Sequence, residues 1–200
     1  MKDTKRNLRY GSLLNDGQIM SILKINQRGE CQLKIVEGMT EAEKRQHRCC
    51  FTGHRPEKLT GSERTIKAAL KKEIKLAIQE GYNVYLTGMA RGTDLWAAEI
   101  ILDLRRKNED IKLICAIPYE GFEQRWSEHW RQLYQYVRNE ADLVRVIGHG
   151  YSAGIFQVRN EWMVNRSSRV IAVYNGSLGG TKNTIDYAMK QGISIHVIEQ

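Results

Sequence analysis

From residue 48 onward the chain alternates short apolar runs with longer helical stretches, and this alternation restricts the fold more than any other feature. The apolar runs fall at 48–52, 82–86, 111–117, 142–147, 170–174 and 194–198. The helical stretches between them are 61–80, 93–107, 122–138, 154–167 and 181–191. Val84-Tyr85-Leu86, Ile111 to Ile117 and Val170 to Tyr174 are almost continuously apolar, as strands are when helices cover both faces of a sheet. In 61–80, Ile66, Ala69, Leu70, Ile74, Ala77 and Ile78 recur at the i, i+3, i+4, i+7 spacing of one buried stripe. Thr60 and Glu63 read as a capping box ahead of that helix, and Gly81 as its stop. Strands and helices in this order predict an α/β, Rossmann-like, doubly wound and mostly parallel sheet with helices on both faces.

Residues 1–47 stand outside this pattern and are expected to form an N-terminal extension to a domain at 48–200. Cys31, Leu33 and Ile35 alternate with polar neighbours, and Asn26-Gln27-Arg28-Gly29 suits a turn, so the extension reads as a small β-hairpin or as disorder. The stretch 39–48, MTEAEKRQHR, reads as a polar linker, and Met39 offers an alternative translation start. No stretch of about 18 apolar residues is present, which predicts no transmembrane helix and no membrane partner. The basic N-terminus lacks an apolar run behind it, so no secretory signal is expected and the cytoplasm is the expected compartment.

The net charge of +8 invites a nucleic-acid reading, but its distribution weakens that reading. Residues 1–48 hold ten Lys/Arg and six Asp/Glu, a net +4; the remaining 152 hold 21 and 17, again +4. The body is therefore only mildly basic. Of the four cysteines, Cys49 and Cys50 are adjacent, with His47 and His54 nearby. Neighbouring strand residues point to opposite faces, so one metal site cannot easily collect both thiols. Buried reduced thiols are expected, and the sequence calls for no metal and no cofactor.

Ligands of open α/β sheets bind beyond the carboxyl ends of the strands, and there this chain concentrates glycine and special polar residues. After the first run come Thr52-Gly53-His54-Arg55-Pro56-Glu57. Thr87-Gly88-Met89-Ala90-Arg91-Gly92-Thr93-Asp94 follow the second, and Asn175-Gly176-Ser177-Leu178-Gly179-Gly180-Thr181 the fifth. Each loop feeds a helix. Glycine allows close approach to an anion, and the free N–H groups of a helix N-terminus favour negative charge. Arg55 and Arg91 add charge-assisted donors. Turns between strands and helices need glycine in any case, but three such loops at one sheet edge point to a phosphate or sugar-phosphate site. Thr52, Gly53, Arg55, Gly88, Arg91, Gly92, Asp94, Gly179, Gly180 and Thr181 are its candidate ligand-binding residues.

Two more join them from the stretch GIFQVRNEWMVNRSS. Arg159 and Asn160 interrupt a stripe that includes Ile155, Phe156 and Met163. A buried arginine needs a counter-charge, so an acidic side chain or a ligand is expected beside it. Trp126 and Trp130, four residues apart, suit either base stacking or the core of their helix, and the spacing favours core. Trp96 is expected to pack on the sheet, and Glu99 lies one turn further on.

The ordered set FTGHRPEKL, GMARGTDLWAAE, CAIPYEGFEQRW, VRNEWMV and YNGSLGGTKNTIDYA resembles the YpsA-type branch of the SLOG superfamily. That Rossmann-like group includes the LOG phosphoribohydrolases and the DNA-processing protein DprA. The resemblance covers about residues 48–200 and implies a pocket for a nucleotide or nucleotide-derived ligand on the loops above. LOG enzymes carry a P-G-G-x-G-T-x-x-E motif, and the position of its glutamate is Thr184 here. A threonine cannot supply the carboxylate that assists ribosyl cleavage, which argues against LOG-type hydrolysis and leaves a phosphate-cradling Gly-Gly-Thr.

Three functions follow in order of preference. The first is a sensor or regulator that binds a nucleotide-like small molecule. The second is an enzyme of N-glycosidic or phosphoribosyl bonds, with Glu57, Asp94 or Glu99 as its acid and its catalytic residues otherwise unassigned. The third is a binder of single-stranded nucleic acid, not favoured by the mild charge of the body. A homo-oligomer is compatible with any of them.

Overall fold

A computed structural model describes the backbone of residues 20–25 and 31–36 and the whole of residues 39–200. It divides into two compact units, one ending at Glu41 and the other spanning Ala42–Gln200. In the first, β1 (Met20–Ile25) pairs antiparallel with β2 (Cys31–Val36), in register from Met20↔Val36 to Ile25↔Cys31. The turn expected at Asn26–Gly29, and the side chains of Cys31, Leu33 and Ile35, lie outside the described residues. The stretch read as a polar linker contains a short helix, α1 (Glu41–Gln46). From Ala42 on it belongs to the second unit, within which Arg45 Nε donates to the Ser167 carbonyl at 3.0 Å and the Gln46 carbonyl accepts from Ser168 Oγ at 3.0 Å.

The second unit is built on β3 (Arg48–Gly53), β4 (Val84–Thr87), β5 (Lys112–Ile117), β6 (Leu143–Val146), β7 (Arg169–Tyr174) and β8 (Ser194–Glu199). All its strand pairs are parallel, and the order is β6-β5-β4-β3-β7-β8. The helices are α2 (Glu63–Gln79), α3 (Thr93–Arg105), α4 (Glu128–Glu140), α5 (Ile155–Asn165) and α6 (Gly180–Lys190). Strands are added on one side of β3 as far as β6, and the chain then returns to lay β7 on the other side. The order therefore reverses between β3 and β7, and such a switch point opens a crevice at the carboxyl ends of the two strands.

The strands are apolar on both faces because each face meets a helical layer. Phe51, Ile66, Leu70, Ile74, Leu95 and Ile101 belong to one buried cluster; Leu86, Met163, Val164, Val170 and Ile185 belong to the other. Each such side chain contributes about 1.5–3 kcal/mol by leaving water. Cys49 joins the first cluster and Cys50 the second, as their alternation requires. Both are free and buried, as is Cys115, and burial raises the Cys50 and Cys115 thiols to about 12. Among the described residues no group of three metal-binding side chains occurs, and no helix is long and apolar enough to cross a membrane.

Two local expectations change. The N-cap of α2 is Ser62, whose hydroxyl accepts from the Thr65 N–H at 3.2 Å, so Thr60 and Glu63 form no capping box. Glu63 is the first helical residue rather than the third, and so cannot reach back as that box requires. The helix expected over 122–138 begins only at Glu128, after Ser127 as N-cap. Residues 119–126 are turns, with Gly121 at φ 82°.

Candidate functional site

Three turns converge at the switch point. Beyond β3, His54 is buried: its ring stacks on Tyr174 at 5.4 Å, and Nε2 lies 3.4 Å from Ser177 Oγ of the turn after β7. Burial and the nearby Lys58 ammonium lower its pKa, and a hydrogen bond with Asn175 offsets part of this. Gly53 is needed here for packing. A Cβ would lie 2.6 Å from Thr93 Cγ2 in the first turn of α3, and Gly53 is not among the positive-φ glycines. Its missing side chain thus makes room for Thr93 rather than for a ligand.

Beyond β4, Met89 adopts φ 62°, rare for a residue with a side chain. Thr87 Oγ1 holds this turn by accepting the Met89 N–H at 3.2 Å and donating to the Asp94 carbonyl at 2.9 Å. Asp94 Oδ2 accepts the Ala90 N–H at 3.2 Å. Gly92, at φ 86°, is the N-cap of α3, and a Cβ there would lie 2.8 Å from Pro56 Cδ. The first two turns are therefore packed against each other.

Asp94 is the acidic partner that Arg159 requires. Nη1 of Arg159 lies 3.8 Å from Asp94 Oδ2 and donates to the Gly88 carbonyl, and both side chains are more than nine-tenths buried. Gly88 permits the pair, since a Cβ would lie 2.6 Å from Arg159 Cζ and 2.8 Å from Asp94 Oδ2. Burial raises the Asp94 carboxyl to about 6 despite Arg159 and the Ala90 N–H. Burial also lowers the Arg159 pKa, with Asp94 opposing that shift and Arg55 adding to it. Arg159 Nε is buried with no acceptor among the described residues.

At the third turn, Gly179 has φ 142°, a conformation side chains rarely adopt, and serves as the N-cap of α6. The helix starts at Gly180, which places Thr181 inside its first turn. Thr181 is therefore not the N-cap. The residue is buried, and its hydroxyl has no hydrogen bond among the described residues. Thr184, at the LOG glutamate position, donates to the Gly180 carbonyl and accepts from Asn160 Nδ2, both at 2.8 Å.

These elements enclose a cavity of about 530 Å3, within the range of small-molecule sites. Thr52, Gly53, Arg55, Arg91, Asp94, Arg159, Asn160, Gly179, Gly180 and Thr181 all line it. Gly88 and Gly92 do not; they lie behind the wall and allow it to close. Arg91 pairs with Glu57 at 2.9 Å, whereas Arg55 and Lys58 have no ion-pair partner among the described residues. Glu99 is outside the cavity and pairs with Lys67 at 2.5 Å.

Part of the wall is aromatic. Phe122 meets Trp126 edge to face at 5.1 Å and Phe156 at 6.5 Å, and all three line the cavity. Trp126 and Trp130, paired by spacing, separate: Trp130 packs on Trp96 at 5.9 Å, away from the cavity. The reason is the late start of α4, which leaves Trp126 on a turn. His54, Lys58, Phe122 and Phe156 line the cavity although none was a sequence candidate. The signal for Phe122 and Trp126 was Gly121 followed by a second helix start at Ser127-Glu128.

Fold and site together define a Rossmann-like α/β protein with a polar-to-aromatic crevice at the switch point of a parallel sheet. The YpsA family model, described as YspA SLOG family, matches residues 49–199, and the chain belongs to that family. It is 33% identical over 128 residues to the uncharacterized SPbeta prophage-derived protein YoqJ of Bacillus subtilis (strain 168), covering 58% of this chain and 75% of that protein. Among solved structures, DNA processing protein A from Helicobacter pylori superposes with a TM-score of 0.56 at 19% identity, over 80% of this chain and 68% of that one. The Streptococcus pneumoniae protein gives 0.54 at 18%, over 76% of this chain and only half of its own length. At these identities the likeness is one of fold.

Proposed function

We propose that the chain binds a nucleotide or nucleotide derivative as a sensor or regulator, with the phosphate at Gly179-Gly180-Thr181 and the base against Phe122, Trp126 and Phe156. One observation carries this reading: a single cavity is lined both by a helix N-terminus with unpaired cations and by a cluster of aromatic side chains. The first N–H groups of α6 have no intrahelical acceptors, and their dipole favours an anion there. LOG-type cleavage lacks its carboxylate, because Thr184 is buried and engaged within α6 and with Asn160.

The Helicobacter pylori protein is described as binding single-stranded DNA. A small ligand suits this chain better. Its cavity cations Arg91 and Arg159 are already paired with Glu57 and Asp94, and the body carries no dense basic track.

Calorimetric titration with AMP and with adenosine tests the reading. Thr181→Ala should weaken AMP about tenfold, as for one lost hydrogen bond to a charged group, and leave adenosine unchanged. Gly180→Asp should be harsher, since nothing lies within 4 Å of a Cβ there and the new carboxylate would compete with the phosphate. Equal weakening of both ligands, or of neither, would move the phosphate elsewhere.

A further inference from the structure

Besides the α6 N-terminus and the aromatic side chains, the cavity is lined by a buried carboxylate. Asp94 is 5% exposed, yet it lines the cavity. Its Oδ2 is taken by the Ala90 N–H and faces Arg159, whereas Oδ1 accepts no hydrogen bond among the described residues. Beside it, Arg159 Nε has a proton and no acceptor. That nitrogen is closed off within the wall, so the under-used group open to a ligand is the Asp94 Oδ1 acceptor, on the same cavity that would hold a nucleotide's phosphate and base. A sugar hydroxyl, able to donate, complements that acceptor.

Building on the proposed nucleotide site, we infer that Asp94 recognises the sugar and makes the site selective for ribonucleotides over 2′-deoxyribonucleotides. A carboxylate that is fixed by its backbone neighbours and held over a strand end can read a ribose hydroxyl, as acidic residues do in dinucleotide-binding sheets. Selectivity follows because the deoxy ligand leaves that buried acceptor unpaired, and sites built to bond a hydroxyl reject analogues that lack it. Pairing with Arg159 occupies only Oδ2. Burial raises the Asp94 pKa, so the ionised carboxylate is held against its own solvation. The same acceptor would also suit an exocyclic amine of a base, and the two sources are separable by experiment.

The experiment is calorimetric titration of the wild-type protein at pH 7.5 with the four ribonucleoside 5′-monophosphates, their 2′-deoxy counterparts and IMP. The preferred ribonucleotide should bind at least about tenfold tighter than its deoxy form, the size of one hydrogen bond to a charged group. Asp94→Asn should abolish that ratio by weakening the ribonucleotide and not the deoxynucleotide. Ribo and deoxy forms bound within twofold of each other would overturn the inference and leave the nucleotide site standing. Loss of binding on going from AMP to IMP, with no loss from AMP to dAMP, would assign Asp94 to a base amine and equally overturn it. If none of the ligands binds, the nucleotide reading itself fails and this inference falls with it. The wild-type comparison needs no variant, so a failure of Asp94→Asn to fold does not obscure the result.

Discussion

Replacing Gly88 with alanine places one methyl group at the most crowded point of the site. The new Cβ would strike Arg159 Nη1, lie 2.6 Å from its Cζ and lie 2.8 Å from Asp94 Oδ2. The carbonyl of Gly88 is itself an acceptor for that guanidinium, so neither the turn nor Arg159 can stay in place. Arg159 must swing away, giving up the carbonyl and its position beside Asp94 while both groups remain buried. Breaking a buried pair by removing one partner costs about 3–5 kcal/mol. Here the partner is displaced rather than deleted, so the lower end applies, about 3 kcal/mol. At about 2–4 °C per kcal/mol for a domain of this size, the melting temperature should fall by roughly 6–12 °C. Thermal and denaturant melts followed by circular dichroism measure this. In an Arg159→Met background, compared at pH 5 to keep Asp94 mostly protonated, the same methyl has no guanidinium to strike. There it should cost less than about 1 kcal/mol, the non-additivity expected of residues in contact. A drop below about 2 °C for Gly88→Ala alone, or the full drop persisting without Arg159, would refute the reasoning.

Three further outcomes can be checked. Burial raises the Asp94 carboxyl to about 6, so the folded state holds this proton more tightly than the unfolded chain does. Its stabilising contribution is therefore full below about pH 4 and lost as pH rises through about 6, a span of about 3 kcal/mol. The difference in unfolding free energy between wild type and Asp94→Asn should change by that order between pH 4 and 7, and a constant difference would contradict it. Gly53→Val should destabilise the whole domain, because the added side chain meets Thr93 first; a variant that melts like wild type would show that α3 can yield. A chain beginning at Thr40 retains α1 with its bonds to Ser167 and Ser168, so it should melt within about 2 °C of the full chain; aggregation would count against an independent domain.

Much of the fold was legible because burial on two faces forces continuous apolar strands, and helices on both faces of a parallel sheet bury them. The turn before α6 was legible for a similar local reason: Gly179 and Gly180 mark the stop of β7 and the start of a helix. What the sequence could not convey was contact across distance. That Arg159 needed an acid was evident from its neighbours Ile155 and Met163. That the acid was Asp94, 65 residues earlier, depended on how α5 crosses the sheet beneath the β4 turn. The aromatic wall was hidden for another reason. Helical spacing paired Trp126 with Trp130, but the positive φ of Gly121 delays α4 and turns Trp126 toward Phe122. Phe156 completes that wall from another helix, and nothing in its own surroundings distinguishes it from core. The same limit applies to Gly53 and Gly88. Both were noticed as glycines suited to a ligand's approach, and both make room for protein atoms, Thr93 in one case and the Arg159–Asp94 pair in the other.

The charge of the cavity bears on what it holds. Its lining includes four cations, Arg55, Lys58, Arg91 and Arg159, and two carboxylates, Glu57 and Asp94, which leaves an excess of two positive charges. His54 adds none near neutrality, because burial and Lys58 lower its pKa. A phosphate monoester carries about −1.5 to −2 at pH 7. On the proposed reading, one such group at the N-terminus of α6, with its own partial positive charge, would bring the site close to neutrality. A triphosphate would overshoot, and a strand of nucleic acid would spread its charge beyond a cavity of about 530 Å3. Of the two unpaired cations, Lys58 fits this account by position as well as by number: its Nζ lies 3.9 Å from where a Cβ of Gly179 would be, beside the turn that precedes α6.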